Sequence, residues 1–138
     1  MQYERGRTED AVLKGTEVGQ TTGDVLLDKI IGAEGINVWN GNFKPLARTF
    51  WHHHEGGQLF FIQAGKGMVA TRGGEKQVVQ AGDVVYSPPG EEHWHGAAPD
   101  CFVIYKAVAL GPTTHIVEVS DAEYDATWSD PIDSDAGD

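Results

Sequence analysis

Trp51-His52-His53-His54-Glu55-Gly56-Gly57-Gln58-Leu59-Phe60-Phe61-Ile62 consists of two short runs about a glycine pair, without the three- and four-residue apolar recurrence of a helix. Read as strands, the first run turns His52 and His54 to one face and Trp51, His53 and Glu55 to the other. The second sets Gln58, Phe60 and Ile62 opposite Leu59 and Phe61. The same texture extends outward, with 18 glycines and 6 prolines punctuating short apolar runs. Strands are predicted over residues 25–31, 36–43, 49–54, 58–63, 67–71, 75–80, 83–87, 93–97, 101–110 and 115–119. Gly65-Lys66-Gly67 and Gly73-Gly74 read as hairpin turns between them. Many short strands at this spacing predict an all-β barrel or sandwich. One helix is expected: Ser120 and Glu123 form a capping box opening a short helix to about Trp128.

Five of the 6 histidines (His52, His53, His54, His93, His95) fall in two segments. Strand parity also aligns His93 with His95, and imidazoles gathered from two strands suit a divalent transition metal, whether Mn, Fe, Co, Ni, Cu or Zn. His53 points away from that face and reads as structural or surface-exposed. His95 can also carry a proton near neutral pH, or only hydrogen-bond another group.

His52-x-His54-xxx-Gln58-x(6)-Gly65 and Gly82-x(5)-Pro88-x-Gly90-xx-His93 resemble the two motifs of the cupin superfamily, the first with glutamine where many members have glutamate. The resemblance spans residues of about 36 to 110 and implies a cupin jelly-roll (double-stranded β-helix) barrel. Phe43-Lys44-Pro45, Trp51-His52, Gly57-Gln58 and His93-Trp94-His95-Gly96 are similar to small bacterial cupins that include manganese or iron hydroxynitrile lyases and carboxymuconolactone-decarboxylase-associated cupins. That likeness implies His52, His54, Gln58 and His93 as metal ligands, with manganese or iron ahead of zinc, nickel and cobalt. Four neutral ligands leave a divalent ion its full charge and favour Lewis-acid chemistry. The chain departs from the pattern at Leu46, where the first motif has glycine, and at Ala97, where the second has asparagine. It also has Tyr105 and Lys106 on the strand where the lyases carry a histidine.

The expected activity is therefore a metal-dependent lyase acting on a small oxygenated molecule, with His95 and Tyr105 as catalytic candidates. A dioxygenase using the same centre and a non-catalytic binding cupin are the alternatives. Asn40, Asn42, Arg48 and Tyr86 are candidate cavity-lining residues.

The 138 residues fit one domain: a loosely held segment over 1–20, the barrel over 21–119, and the helix with an acidic tail over 120–138. The net charge of −11 argues against a nucleic-acid partner. Eight acidic residues and no Lys or Arg lie between Glu118 and Asp138, which reads as a solvated end. Cys101 has no partner for an intrachain disulfide. Without a signal peptide or membrane-spanning run, the cytoplasm is the expected location. Outward-facing Trp51, Leu59 and Phe61 need a cover, from within the chain or from a second subunit, and a homodimer is expected.

Overall fold

A computed structural model describes residues 1–5, 12–15 and 19–130. The acidic end beyond 130 and much of the N-terminal segment lie outside the described residues. Among those described, the elements are β1 (Val12–Lys14), β2 (Thr21–Thr22), β3 (Val25–Ala33), β4 (Ile36–Phe43), β5 (Arg48–Thr49), β6 (Trp51–His54), β7 (Gln58–Thr71), β8 (Lys76–Gln80), β9 (Val84–Ser87), β10 (His93–Ala97), β11 (Val103–Leu110), β12 (Thr113–Val117) and α1 (Asp121–Ser129). No helix among them is long and apolar enough to cross a membrane.

Two antiparallel sheets make the barrel. The first runs β1-β3-β4-β11-β7-β9, and the second sets β7 between β8 and β10, with β10 continuing to β5-β2 and to β6-β12. Strand β7 belongs to both sheets: its first half pairs β11 and β9, its second half β8 and β10. The expected hairpin at Gly65-Lys66-Gly67 is therefore wrong. Gly65 instead bends one long strand from sheet to sheet, at φ 82°, and a Cβ there would collide with the Phe102 carbonyl. Sequence alone cannot separate such a bend from a turn, because both ask for glycine at positive φ. The predicted strand over 49–54 is likewise interrupted, with Phe50 separating β5 from β6.

Register across the first sheet sets the interior in rows. Leu27, Gly41, Tyr105 and Ile62 are successive partners, then Lys29, Trp39, Ala107 and Phe60, then Gly32, Asn37, Ala109 and Gln58. Burial on β11 alternates along its length, which is the period-two pattern of a half-buried strand. One end of the interior is closed by Val25, Phe43, Ile62, Val69, Val79 and Val103. Towards the other end Ala107 and Ala109 leave space between larger neighbours.

Helix α1 covers the outside of the second sheet. Its Ser120 capping box is formed, and Tyr124 packs with Trp51, Met68, Trp94 and Val119 in a second apolar cluster. Each such aromatic contributes roughly 1.5–3 kcal/mol of burial. Trp51 thus finds its cover within the chain. The helix is anchored by buried Arg48, which donates from Nε and Nη2 to the Val119 carbonyl (3.2 and 2.8 Å) and from Nη2 to Asp121 Oδ1 (2.7 Å). Phe61, Val84 and Tyr86 stay exposed on the first sheet's outer face.

Candidate metal centre and cavity

The open end of the barrel holds a cavity of about 340 Å³. His52, His54, Gln58, His95 and Tyr105 line it, and buried His93 lies directly behind. The register explains the convergence: His93 on β10 pairs His52 on β6, and His54, two residues along, shares that face. Ring centroids are 4.4 Å apart for His52 and His93, 5.1 Å for His52 and His54, and 5.6 Å for His54 and His93. Gln58 comes from the other sheet, its Oε1 3.1 Å from His93 Nε2.

Each of these imidazoles has its Nδ1 tied. His52 Nδ1 bonds the Phe50 carbonyl at 2.8 Å, His93 Nδ1 the Glu91 carbonyl at 3.0 Å, and His54 Nδ1 the Thr113 hydroxyl at 2.7 Å. A carbonyl only accepts, so His52 and His93 carry their proton on Nδ1 and turn a lone pair at Nε2 inward. His93 Nε2 then faces Gln58 Oε1 acceptor to acceptor, and His54 Nε2 is buried without a hydrogen-bond partner. A cation satisfies both, so the residues fit a divalent metal.

His52, His93 and His95 also bring one nitrogen each within 4.8 Å of one another. His95 is held differently. The Tyr105 hydroxyl lies 2.6 Å from His95 Nδ1, and His95 Nε2 is buried and unpartnered. Phe43 and Phe60 flank the pair, with ring centroids 5.3 and 5.4 Å from Tyr105. A Cβ on Gly41 would stand 3.0 Å from the Tyr105 ring, so glycine makes room for that side chain.

Burial keeps this cluster uncharged. It lowers the pKa of His52 and His95 well below the ordinary value, with neighbouring histidines adding to the effect. His54 falls to about 4 by burial and by the repulsion its protonated form would meet at His93, His93 is lowered by burial, and Tyr105 is pushed well above its usual range by burial.

All six residues singled out from sequence are brought together around one end of the barrel. The suggested lining residues are not. Arg48 anchors the helix, Tyr86 is exposed on the outer face, and Asn40 and Asn42 do not line the cavity, whereas Asn37 does. His53 is outside it as well. Sequence reading missed Thr113 and His115, which β12 brings beside β6, His115 opposite His52 with ring centroids 5.7 Å apart. It also missed Lys29 and Trp39 at the cavity wall. Only the long-range register carries them there.

The chain belongs to the cupin family: the cupin domain profile matches residues 41–102, on the double-sheet barrel just described. More particularly, it is 40% identical over 90 residues to an (R)-mandelonitrile lyase of Granulicella tundricola, covering 63% of this chain and 69% of that protein. A cupin-like protein from Thermotoga maritima has a TM-score of 0.77 at 33% identity, over 82% of this chain and 91% of that one. An acetylacetone dioxygenase from Acinetobacter johnsonii shares the fold alone, with a TM-score of 0.69 at 17% identity over 93% and 91% of the two chains.

Proposed function

We propose that the protein is a metal-dependent lyase for a small oxygenated molecule, hydroxynitrile-lyase-like, with His52, His54, Gln58 and His93 holding one divalent transition metal, manganese or iron before others. The observation that carries this reading is the convergence of His93 Nε2, Gln58 Oε1 and His54 Nε2, the first two set acceptor to acceptor. The likeness to a mandelonitrile lyase at 40% identity supports the reaction class. When bound, such a metal supplies Lewis-acid stabilisation of a substrate oxygen or a departing anion.

The proton belongs to His95. Tyr105 is neutral, and no other acceptor is recorded for its hydroxyl, so it donates to His95 Nδ1. His95 therefore holds its own hydrogen at Nε2, facing the cavity. That tautomer makes it a donor to substrate rather than a ligand, and separates it from the other three imidazoles in role. In cleavage of a cyanohydrin the hydroxyl loses its proton and the bond to the nitrile carbon breaks. Its electron pair leaves on cyanide while the carbonyl forms, and cyanide takes a proton as HCN. The hydroxyl proton thus ends on cyanide, and we assign to the His95 Nε2–H a hydrogen bond that orients the substrate and steadies the departing anion until that proton reaches it. Tyr105 fixes which nitrogen acts, a positioning role on the strand where related lyases carry histidine.

The test is to load purified protein with Mn²⁺ or anaerobic Fe²⁺, count metal by elemental analysis, and assay cyanide and benzaldehyde from mandelonitrile. One metal per chain is expected, with cyanide release lost in His52→Ala and Gln58→Ala. Full occupancy without cyanide release overturns the lyase reading. Substrate-dependent oxygen uptake would replace it with the dioxygenase, and binding without turnover with a ligand-binding cupin.

A further inference from the structure

Among the described residues, the cavity wall carries one formal charge, and it is positive. Lys29 is the lone lysine or arginine among the lining residues, no aspartate or glutamate joins it, and the histidines there are kept neutral by burial. This happens in a chain of net charge −11, so the cavity is set against the sign of the molecule around it.

Lys29 is an exposed residue on the cavity wall. Strand β3 pairs β4 at Lys29 itself, opposite Trp39, and β1 over the three residues just before it, Leu26 to Asp28. Its ammonium sits 5.7 Å from the centre of the Trp39 ring. Gly32 makes the room: a Cβ there would stand 2.7 Å from Lys29 Cε, 3.0 Å from its Nζ and 3.4 Å from Asn37 Oδ1. Neither ion pair recorded among the described residues involves Lys29. The row Lys29-Trp39-Ala107-Phe60 runs from this ammonium to the ring beside His95, with the alanine leaving an open floor between.

We propose that Lys29 makes the cavity selective for small anions, so that its ligand is a carboxylate-bearing molecule whose charged group lies at Lys29 and Asn37 while its other end reaches the histidines. A lysine ammonium is a point charge that gains from a carboxylate and little from a nitrile or an amide. Lys29 is thereby a specificity-determining residue, and cyanohydrins or related substrates that carry an acid group are preferred over neutral ones. This assignment of substrate class rests on the histidine end of the cavity being the working centre.

Phenylacetate and its neutral isostere phenylacetamide are the probes, titrated calorimetrically into metal-free and Mn²⁺-loaded protein at two salt concentrations. The metal-free arm matters most, because there an anion preference cannot come from the metal. Wild type is expected to prefer phenylacetate about tenfold, as a half-exposed charge-assisted contact gives. Lys29→Met, which keeps length and removes charge, abolishes the preference. Gly32→Ala, which displaces the ammonium while keeping it, weakens the preference, and added salt lowers it in wild type. Equal affinity for the two probes, no binding of either, or a preference that survives Lys29→Met overturns the proposal. Metal stoichiometry and cyanide release are read separately: an anion preference in protein that takes up no metal leaves this inference standing while the lyase reading falls, and the converse result does the opposite.

Discussion

Replacing Tyr105 with phenylalanine removes one hydroxyl from a packed site and little else. The ring is buried, and Phe43 stacks on it at 5.3 Å with Phe60 at 5.4 Å, so the phenyl group should stay in position. The lost contact is the 2.6 Å bond to His95 Nδ1. Leaving a buried acceptor unsatisfied costs about 1–3 kcal/mol, which for a chain of this length lowers Tm by roughly 3–10 °C. The more telling effect concerns the imidazole. With the hydroxyl present, His95 carries its hydrogen on Nε2. Without it nothing holds that tautomer, and a population protonated on Nδ1 should appear. Urea unfolding of metal-free protein measures the first effect, and long-range ¹⁵N–¹H correlation spectra of the histidine rings measure the second. A stability change under about 0.5 kcal/mol, the range of an ordinary surface substitution, together with an unaltered His95 ring pattern, would refute the assignment of Tyr105 as donor.

Two other expectations concern the scaffold. Leu46 sits at φ 75°, is half exposed, and occupies the position where the cupin motif has glycine. A left-handed conformation costs an L-residue roughly 1–2 kcal/mol, and glycine returns roughly 0.5–1 kcal/mol of that as chain entropy. Leu46→Gly should therefore stabilise the protein by about 0.5–1 kcal/mol in urea unfolding, and a loss of stability would contradict the argument. The pH dependence of the metal-free protein follows from the buried imidazoles. Their folded pKa values lie below the unfolded 6.5, so the unfolded chain binds more protons in that window, and stability is lost as pH falls through it. His54, at about 4, contributes on the order of 3 kcal/mol by the bottom of its range. Urea midpoints should drop steadily from pH 7 to pH 5, above the carboxylate range, and a flat profile there would count against a neutral cluster.

The histidine face and the β character were legible because both rest on period-two alternation, which local sequence carries. His52 with His54, and His93 with His95, needed only parity. The capping box at Ser120 was readable because its two partners are three residues apart. The misreadings have a common cause. Gly65 needed knowledge of the Phe102 carbonyl far along the chain, and Arg48 had to be seen against Val119. Asn37 enters the cavity and Asn40 does not, although nothing in either residue's neighbourhood says which face is inward. Lys29, Thr113 and His115 reach the site through strand pairings across the barrel, which no local pattern encodes.

The carboxamide of Gln58 hangs from one leaf of the barrel and the imidazoles from the other, joined along the backbone by the single ribbon of β7. Sliding one leaf over its neighbour would open this junction before it disturbed any pairing within a leaf. A mutation far out on either flank that alters how the leaves are stacked should therefore be felt first here, as a loosened grip at the mouth, while the rest of the architecture still looks intact.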